Sequence, residues 1–172
     1  AKAALSVGSR QVRNRATCIG NICNASPLAD TGTPLLACDA VILAEGPDGR
    51  REIPIRDFFI FVRKTSLKPG EIVTAIRVPY IAGAEGVFTK VARRREVDLS
   101  TVCATVLRCG GEFRFAFGSV APTPLRLVKT EELVRGKKPD AALIEQAVEL
   151  ARSEVAPISD VRASREYRMD IV

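Results

Sequence analysis

Histidine is absent from the 172 residues of this chain, and so is tryptophan. Without imidazole there is no histidine general base, no histidine-paired nucleophile and no histidine-ligated zinc, which removes most hydrolytic chemistry. Aromatic residues make up only 5% of the sequence, too few to interleave with basic residues as a single-stranded nucleic-acid platform requires. No apolar run approaches the ~20 residues of a membrane helix, so no span is expected. The amino terminus also lacks the apolar core of a secretory signal. Five cysteines, Cys18, Cys23, Cys38, Cys103 and Cys109, form an odd set with no close zinc-type pairing. That pattern argues against a disulfide framework or a metal site and for a reducing, cytoplasmic setting. Internal repeats and low-complexity tracts are missing as well.

What is present is a globular balance, 47% hydrophobic and 27% charged, with enough length for one or two domains. The net charge of +6 gathers at Arg10/Arg13/Arg15 and at Arg93/Arg94/Arg95. No basic helix is long enough to enter a nucleic-acid groove, so these clusters read as a solvated or subunit-facing surface and no nucleic acid is expected.

The densest polar stretch runs from Arg10 to Asp30. Gly20 permits close backbone approach, Asn21 and Asn24 supply amides, and Thr17 and Ser26 supply hydroxyls suited to phosphate or ribose oxygens. Ser26-Pro27 has the pattern of a helix start, which predicts a helix over about Ser26 to Cys38 and an anion-favouring turn before it. Gly/Asn/Ser loops are also ordinary turns, so chemistry alone leaves both readings open. Farther on, Ala40–Glu45 and Arg51–Ile55 read as strands joined by the hairpin tetrad Gly46-Pro-Asp-Gly49. Asp57–Phe61 is an aromatic cluster suited to core or subunit contact. Glu71–Val78 alternates as a strand whose Ile72 and Val73 suit the flank of a ring system. Residues 81–86 are small and glycine-containing, marking a boundary between a domain over 1–83 and another over 84–172. In the second, Val87–Ala92, Leu99–Cys109 and Glu112–Val120 read as three strands, with Phe113, Phe115 and Phe117 on one face. Pro122–Pro124 is expected to end the sheet. Asp140 then caps a helix with apolar residues at helical spacing, and a last helix starts near Ser164.

Several segments in order resemble one family. They are Val7-Gly-Ser-x-Gln-Val-Arg-Asn-x-Ala-Thr17; Gly20-Asn-Ile22; Asn24-Ala-Ser-Pro-x-Ala-Asp30; Lys68-Pro-Gly-Glu-Ile-Val73; Phe88-x-Lys90-x-x-Arg-Arg-Arg95-x-x-Asp98; Gly118-Ser-Val-Ala-Pro-Thr-Pro124; and Pro157-Ile-Ser-Asp-Val-Arg-Ala-Ser164. Together they resemble the flavin (medium) subunit of molybdenum hydroxylases of the carbon monoxide dehydrogenase and xanthine dehydrogenase type. In that family the first loop usually carries two glycines before the asparagine, where this chain has Ile19-Gly20-Asn21. The resemblance covers the later part of such a subunit, so the isolated chain is expected to bind flavin weakly.

The resemblance implies an α+β fold. The carboxy-terminal portion of a PCMH-type FAD-binding subdomain precedes a CO dehydrogenase flavoprotein C-terminal-like domain, a three-stranded antiparallel sheet packed by helices. It further implies an oxidoreductase subunit that takes electrons from iron–sulfur clusters through FAD to an external acceptor. FAD contacts are then expected from Thr17, Gly20, Asn21, Asn24, Asp30, Ile72, Val73, Lys90 and Arg94. Lys90 and Arg94 should share one face of an extended segment, with Arg93 and Arg95 on the other. Molybdopterin and the clusters are expected on a large and a small partner subunit of a hetero-oligomer. The competing expectation is a flavin-free module that docks a partner through Arg93–Arg95 and the Phe58/Phe59/Phe61 cluster.

Overall fold

Two hydroxyl side chains start short helices near the amino terminus of the computed structural model, which describes residues 1–95 and 97–172. After α1 (Lys2–Leu5), Ser9 caps α2 (Arg10–Arg13) by accepting from the Val12 amide at 3.2 Å. Thr17 caps α3 (Cys18–Cys23) in the same way, accepting from the Gly20 amide at 2.9 Å. Each hydroxyl satisfies a first-turn amide that has no intrahelical acceptor. The core of the polar stretch is therefore a capped helix rather than an open loop.

The helix expected from Ser26 is shorter and later, since α4 spans Gly32–Ala37. Ser26 caps only a turn, its hydroxyl accepting from the Leu28 amide at 3.2 Å. The Pro27 carbonyl is drawn away to accept from the Ser119 amide at 2.8 Å. A tertiary hydrogen bond thus overrides a local preference that is only a weak prior.

Next come β1 (Val41–Gly46) and β2 (Gly49–Pro54), joined by the expected hairpin with Gly46 opposite Gly49. They are followed by α5 (Ile55–Phe58), β3 (Phe59–Phe61), β4 (Lys64–Thr65) and β5 (Ile72–Arg77). Strands β2, β1 and β5 form an antiparallel sheet in that order, while β3 and β4 pair separately. Strand alternation turns Ile42 and Ala44 of β1 inward, where they meet Ile22, Leu36, Ile53, Ile55 and Phe58. Phe58 and Phe59 are buried in edge-to-face contact with ring centroids 5.4 Å apart. Of its three phenylalanines only Phe61 is exposed, so a docking role for Phe58 or Phe59 is ruled out by their burial.

The second half holds β6 (Glu85–Val91), β7 (Val102–Cys109), β8 (Glu112–Gly118) and β9 (Leu125–Arg126), then α6 (Val128–Val134), α7 (Ala141–Glu154) and α8 (Arg165–Ile171). Gly110 and Gly111, at φ +57° and +85°, make the tight reversal between β7 and β8, with two consecutive positive angles that glycine adopts without strain. The three expected strands are present and a fourth joins them. Pro122–Pro124 turns the chain back, and Leu125–Arg126 pairs with Ala116–Phe117. Asp140 and Ser164 cap α7 and α8 as expected, accepting from the Leu143 and Tyr167 amides at 2.8 and 3.2 Å.

This sheet is covered on both faces. Phe113, Phe115 and Phe117, with Val106, face α6 and α7, whereas Thr105, Leu107 and Ala116 face α4. The Thr33 and Thr105 hydroxyls, both buried, hydrogen-bond at 2.9 Å across the second contact. Leu107 and Ala116 belong to the same apolar cluster as Ile22, Ile42 and Phe58. One core therefore crosses the boundary expected near residue 83.

Candidate functional site

The first turn of α3 lies at the wall of an open cleft of about 450 Å³. Leu5, Val7, Thr17, Asn21 and Thr31 line it, together with Arg10 and Arg13 of α2. One helical turn separates the two arginines, which places both on the same side of α2. The Arg13 guanidinium donates to the carbonyls of Val7 and Gly8, both at 2.9 Å, and so holds the arm before α2 in place. No carboxylate is among the described lining residues. Two guanidinium groups, the Thr17 hydroxyl and the Asn21 amide make a donor set for an anion.

Gly20 keeps the cap tight, because a Cβ there would stand 3.1 Å from Thr17 Oγ1. Asn21 is oriented from below: its Oδ1 accepts from the Thr31 hydroxyl at 2.5 Å, which leaves the amide NH₂ to donate. Asn24 ends α3, and its Oδ1 accepts from the Arg63 guanidinium.

Asp30 lies beneath the cleft at 4% exposure. Its carboxylate accepts from Lys90 Nζ at 2.6 Å, from the Ser6 hydroxyl at 3.1 Å and from the Ser100 hydroxyl. Lys90, carried on β6, also donates to the Ser6 and Asp98 carbonyls at 3.0 and 2.8 Å. Every donor of this ammonium thus has an acceptor, which is what makes a buried charge tolerable. Burial is also the main reason the Cys103 thiol is pushed up to about 12, with the Asp30 charge adding to it. That sulfur is a neutral packing group rather than a nucleophile.

A second cleft of about 430 Å³ shares Leu5, Arg10 and Arg13 with the first and continues to Lys90, Arg94 and Arg95. The expected split of Arg94 from Arg95 does not hold. Strand β6 ends at Val91, so strand alternation no longer governs residues 93–95, and both Arg94 and Arg95 line this cleft. Arg93 alone turns away, donating to the Val161 carbonyl at 3.3 Å.

Of the residues suggested for cofactor contact, Thr17, Asn21, Lys90 and Arg94 stand in the walls of these two clefts. Gly20, Asn24 and Asp30 support them from α3 and from below. Ile72 is 65% exposed on β5, and Val73 packs against the core; neither is in either wall. Arg10, Arg13 and Thr31 are among the wall residues that sequence reasoning did not assign to the site. The signal for the first two was the basic cluster at 10–15, which became legible only once α2 set their spacing on one face.

Comparison with known proteins divides the chain in two. Residues 1–81 match the family described as the FAD binding domain in molybdopterin dehydrogenase. Residues 88–172 match the CO dehydrogenase flavoprotein C-terminal domain. A putative xanthine dehydrogenase FAD-binding subunit of Escherichia coli strain K12 is 37% identical over 177 residues, covering 99% of this chain and 61% of the relative. The glyceraldehyde dehydrogenase medium chain of Sulfolobus acidocaldarius is 35% identical over 170 residues, covering 96% and 60%. A solved carbon monoxide dehydrogenase from Hydrogenophaga pseudoflava, which lacks the Mo-pyranopterin moiety of its cofactor, superposes with a TM-score of 0.92 at 32% identity over 99% of this chain and 61% of that one. The chain spans about three fifths of the length of the curated relatives it matches.

Proposed function

The chain belongs to the family of FAD-binding subunits of molybdopterin dehydrogenases, and from that premise we propose that it forms the later part of a medium subunit that holds FAD in a molybdenum hydroxylase complex. The observation that carries this reading is the cleft over the capped start of α3, with Arg10, Arg13, Thr17 and Asn21 in its walls and no carboxylate among its described lining residues. Those donors fit an anionic diphosphate. When bound, FAD supplies the redox chemistry and passes electrons between iron–sulfur clusters and an external acceptor.

The chain's own residues bind and orient. Thr17 keeps the first turn of α3 tight against the cleft, Asn21 presents its NH₂ because Thr31 holds its oxygen, and Arg10 and Arg13 supply positive charge. Asn24, Asp30 and Lys90 fix the ends and floor of this wall, while Arg95 and Arg94, the latter beside Asp98 at 3.8 Å, line the adjoining cleft. Ile72 and Val73 stay candidates for an apolar flank, since β5 packs against α3.

By the same reading the partners are a molybdopterin-binding large subunit and an iron–sulfur small subunit in a cytoplasmic hetero-oligomer. Five free cysteines support a reducing setting. Among the described residues no helix is long and apolar enough to cross a membrane.

The test is FAD occupancy of the purified complex. Asn21→Leu removes the NH₂ donor and the Thr31 partner together, and occupancy is expected to fall severalfold with the circular dichroism spectrum unchanged. Full occupancy with an unaltered flavin spectrum would count decisively against the assignment.

A further inference from the structure

We propose that Arg168, on the last helix and away from both clefts, is a positioning residue for the cofactor site. It acts through Ser119 and Ser100 on Asp30. The inference rests on the FAD reading and names a residue that reading does not use.

Arg168 is 2% exposed. Its Nη1 donates to the Thr101 carbonyl and, at 3.2 Å, to the Ser119 carbonyl, while Nη2 donates to Asp160 Oδ1 at 2.7 Å. Ser119 holds a left-handed φ of +70°, a conformation that a serine keeps only when its surroundings fix it. From there its amide donates to the Pro27 carbonyl at 2.8 Å and its hydroxyl to the Ser100 carbonyl at 3.1 Å. The Ser100 hydroxyl donates to Asp30, which holds Lys90 at 2.6 Å. Arg168 therefore grips both segments that set Asp30, the one entering β7 and the one leaving β8.

Stability alone does not account for a guanidinium here. Its Nε is buried without a hydrogen-bond partner, a costly state. What the planar fork provides, and a hydrocarbon does not, is two carbonyls from separate segments held in one plane beside a carboxylate. Asp160 stays ionised to do its part. Burial favours its neutral form, but the Arg162 amide and side chain, Arg168 and the Ala163 amide together hold it at about 2.

The experiment measures the FAD dissociation constant and the urea midpoint in the same complex. Arg168→Met combined with Asp160→Asn removes both charges; the urea midpoint is expected to fall, because the Thr101 and Ser119 carbonyls lose their donor, while the complex stays folded without urea and there binds FAD about tenfold more weakly. Adding Ser100→Ala should then weaken binding little further, because the path is already broken. An unchanged dissociation constant, or a Ser100→Ala effect that simply adds, overturns the proposal. Should the double variant fail to fold, Arg168→Lys keeps the cation without the fork and is expected to bind with intermediate affinity; wild-type affinity there overturns it equally. If the unsubstituted complex takes up no FAD, the reading of the site fails instead, and the two outcomes stay distinct.

Discussion

Lys90 and Asp30 show how much one pair can matter when its surroundings are dry. Their side chains are 14% and 5% exposed and meet at 2.6 Å, whereas Arg77 and Glu52, also paired, are 52% and 57% exposed. Removing one partner of a buried pair typically costs about 3–5 kcal/mol, because the other charge is left uncompensated. An exposed pair contributes about 0–1 kcal/mol, since water solvates either partner alone. Lys90→Met is therefore expected to lower the unfolding free energy by about 3 kcal/mol or more, and Arg77→Met by much less. Urea denaturation of both variants checks this, and equal shifts would remove the special standing given to the buried pair. The same substitution should also weaken FAD retention, because Lys90 Nζ holds the Ser6 carbonyl beside the arm that carries Arg10 and Arg13.

At the scale of elements, the helix starts divide into those set by one side chain and those set by distant partners. Asp140 begins α7 with a side-chain acceptor 2.8 Å from the Leu143 amide. Asp140→Ala is expected to cost about 1 kcal/mol, read as a Tm lower by about 2–4 °C for a chain of this size. No change in Tm would mean that tertiary packing alone holds that terminus. This start was legible in the sequence, as were Ser164, the Gly46–Gly49 hairpin and the Gly110–Gly111 reversal, because each depends on residues within four positions of one another. The start of α4 was not, because Pro27 answers to Ser119 and Asp30 to Lys90 and Ser100, partners 60 to 92 residues away in sequence. The cleft shows the same division. The polar residues of α3 stood out by composition, but the part played by Arg10 and Arg13 depends on the fold of α2 and on its closeness to α3. The fourth strand β9 was hidden by the two prolines just before it, which suggest an end to the sheet and instead make the turn that returns the chain to its edge.

For the molecule as a whole, the two matched regions meet along one continuous interior. Helix α4, from the first, covers the face of β7 and β8 that carries Thr105, Leu107 and Ala116. A Cβ at Gly118 would lie 2.7 Å from Cys103 Sγ on the neighbouring strand and 3.2 Å from the Pro27 carbonyl of the other half, so no side chain fits there without a shift. Around the rim, Asp39 at the end of α4 pairs with Arg114 and Arg126 at 2.9 and 3.0 Å, and Arg126 is held in turn by Glu131. Separating the halves would expose apolar surface at about 25 cal/mol per Å² and strip the partners from Asp30, Thr33 and Thr105 at the same time. Unfolding of the whole chain is therefore expected to be a single cooperative transition, with hydrogen exchange in β1 and in β7 reporting the same free energy and the same urea dependence. Residues 84–172 expressed alone should lack a fixed tertiary structure and bind a hydrophobic dye, because one face of their sheet has lost its cover. A well-dispersed amide spectrum from that fragment, or two separate transitions in the intact chain, would show that the sequence boundary is also a folding boundary.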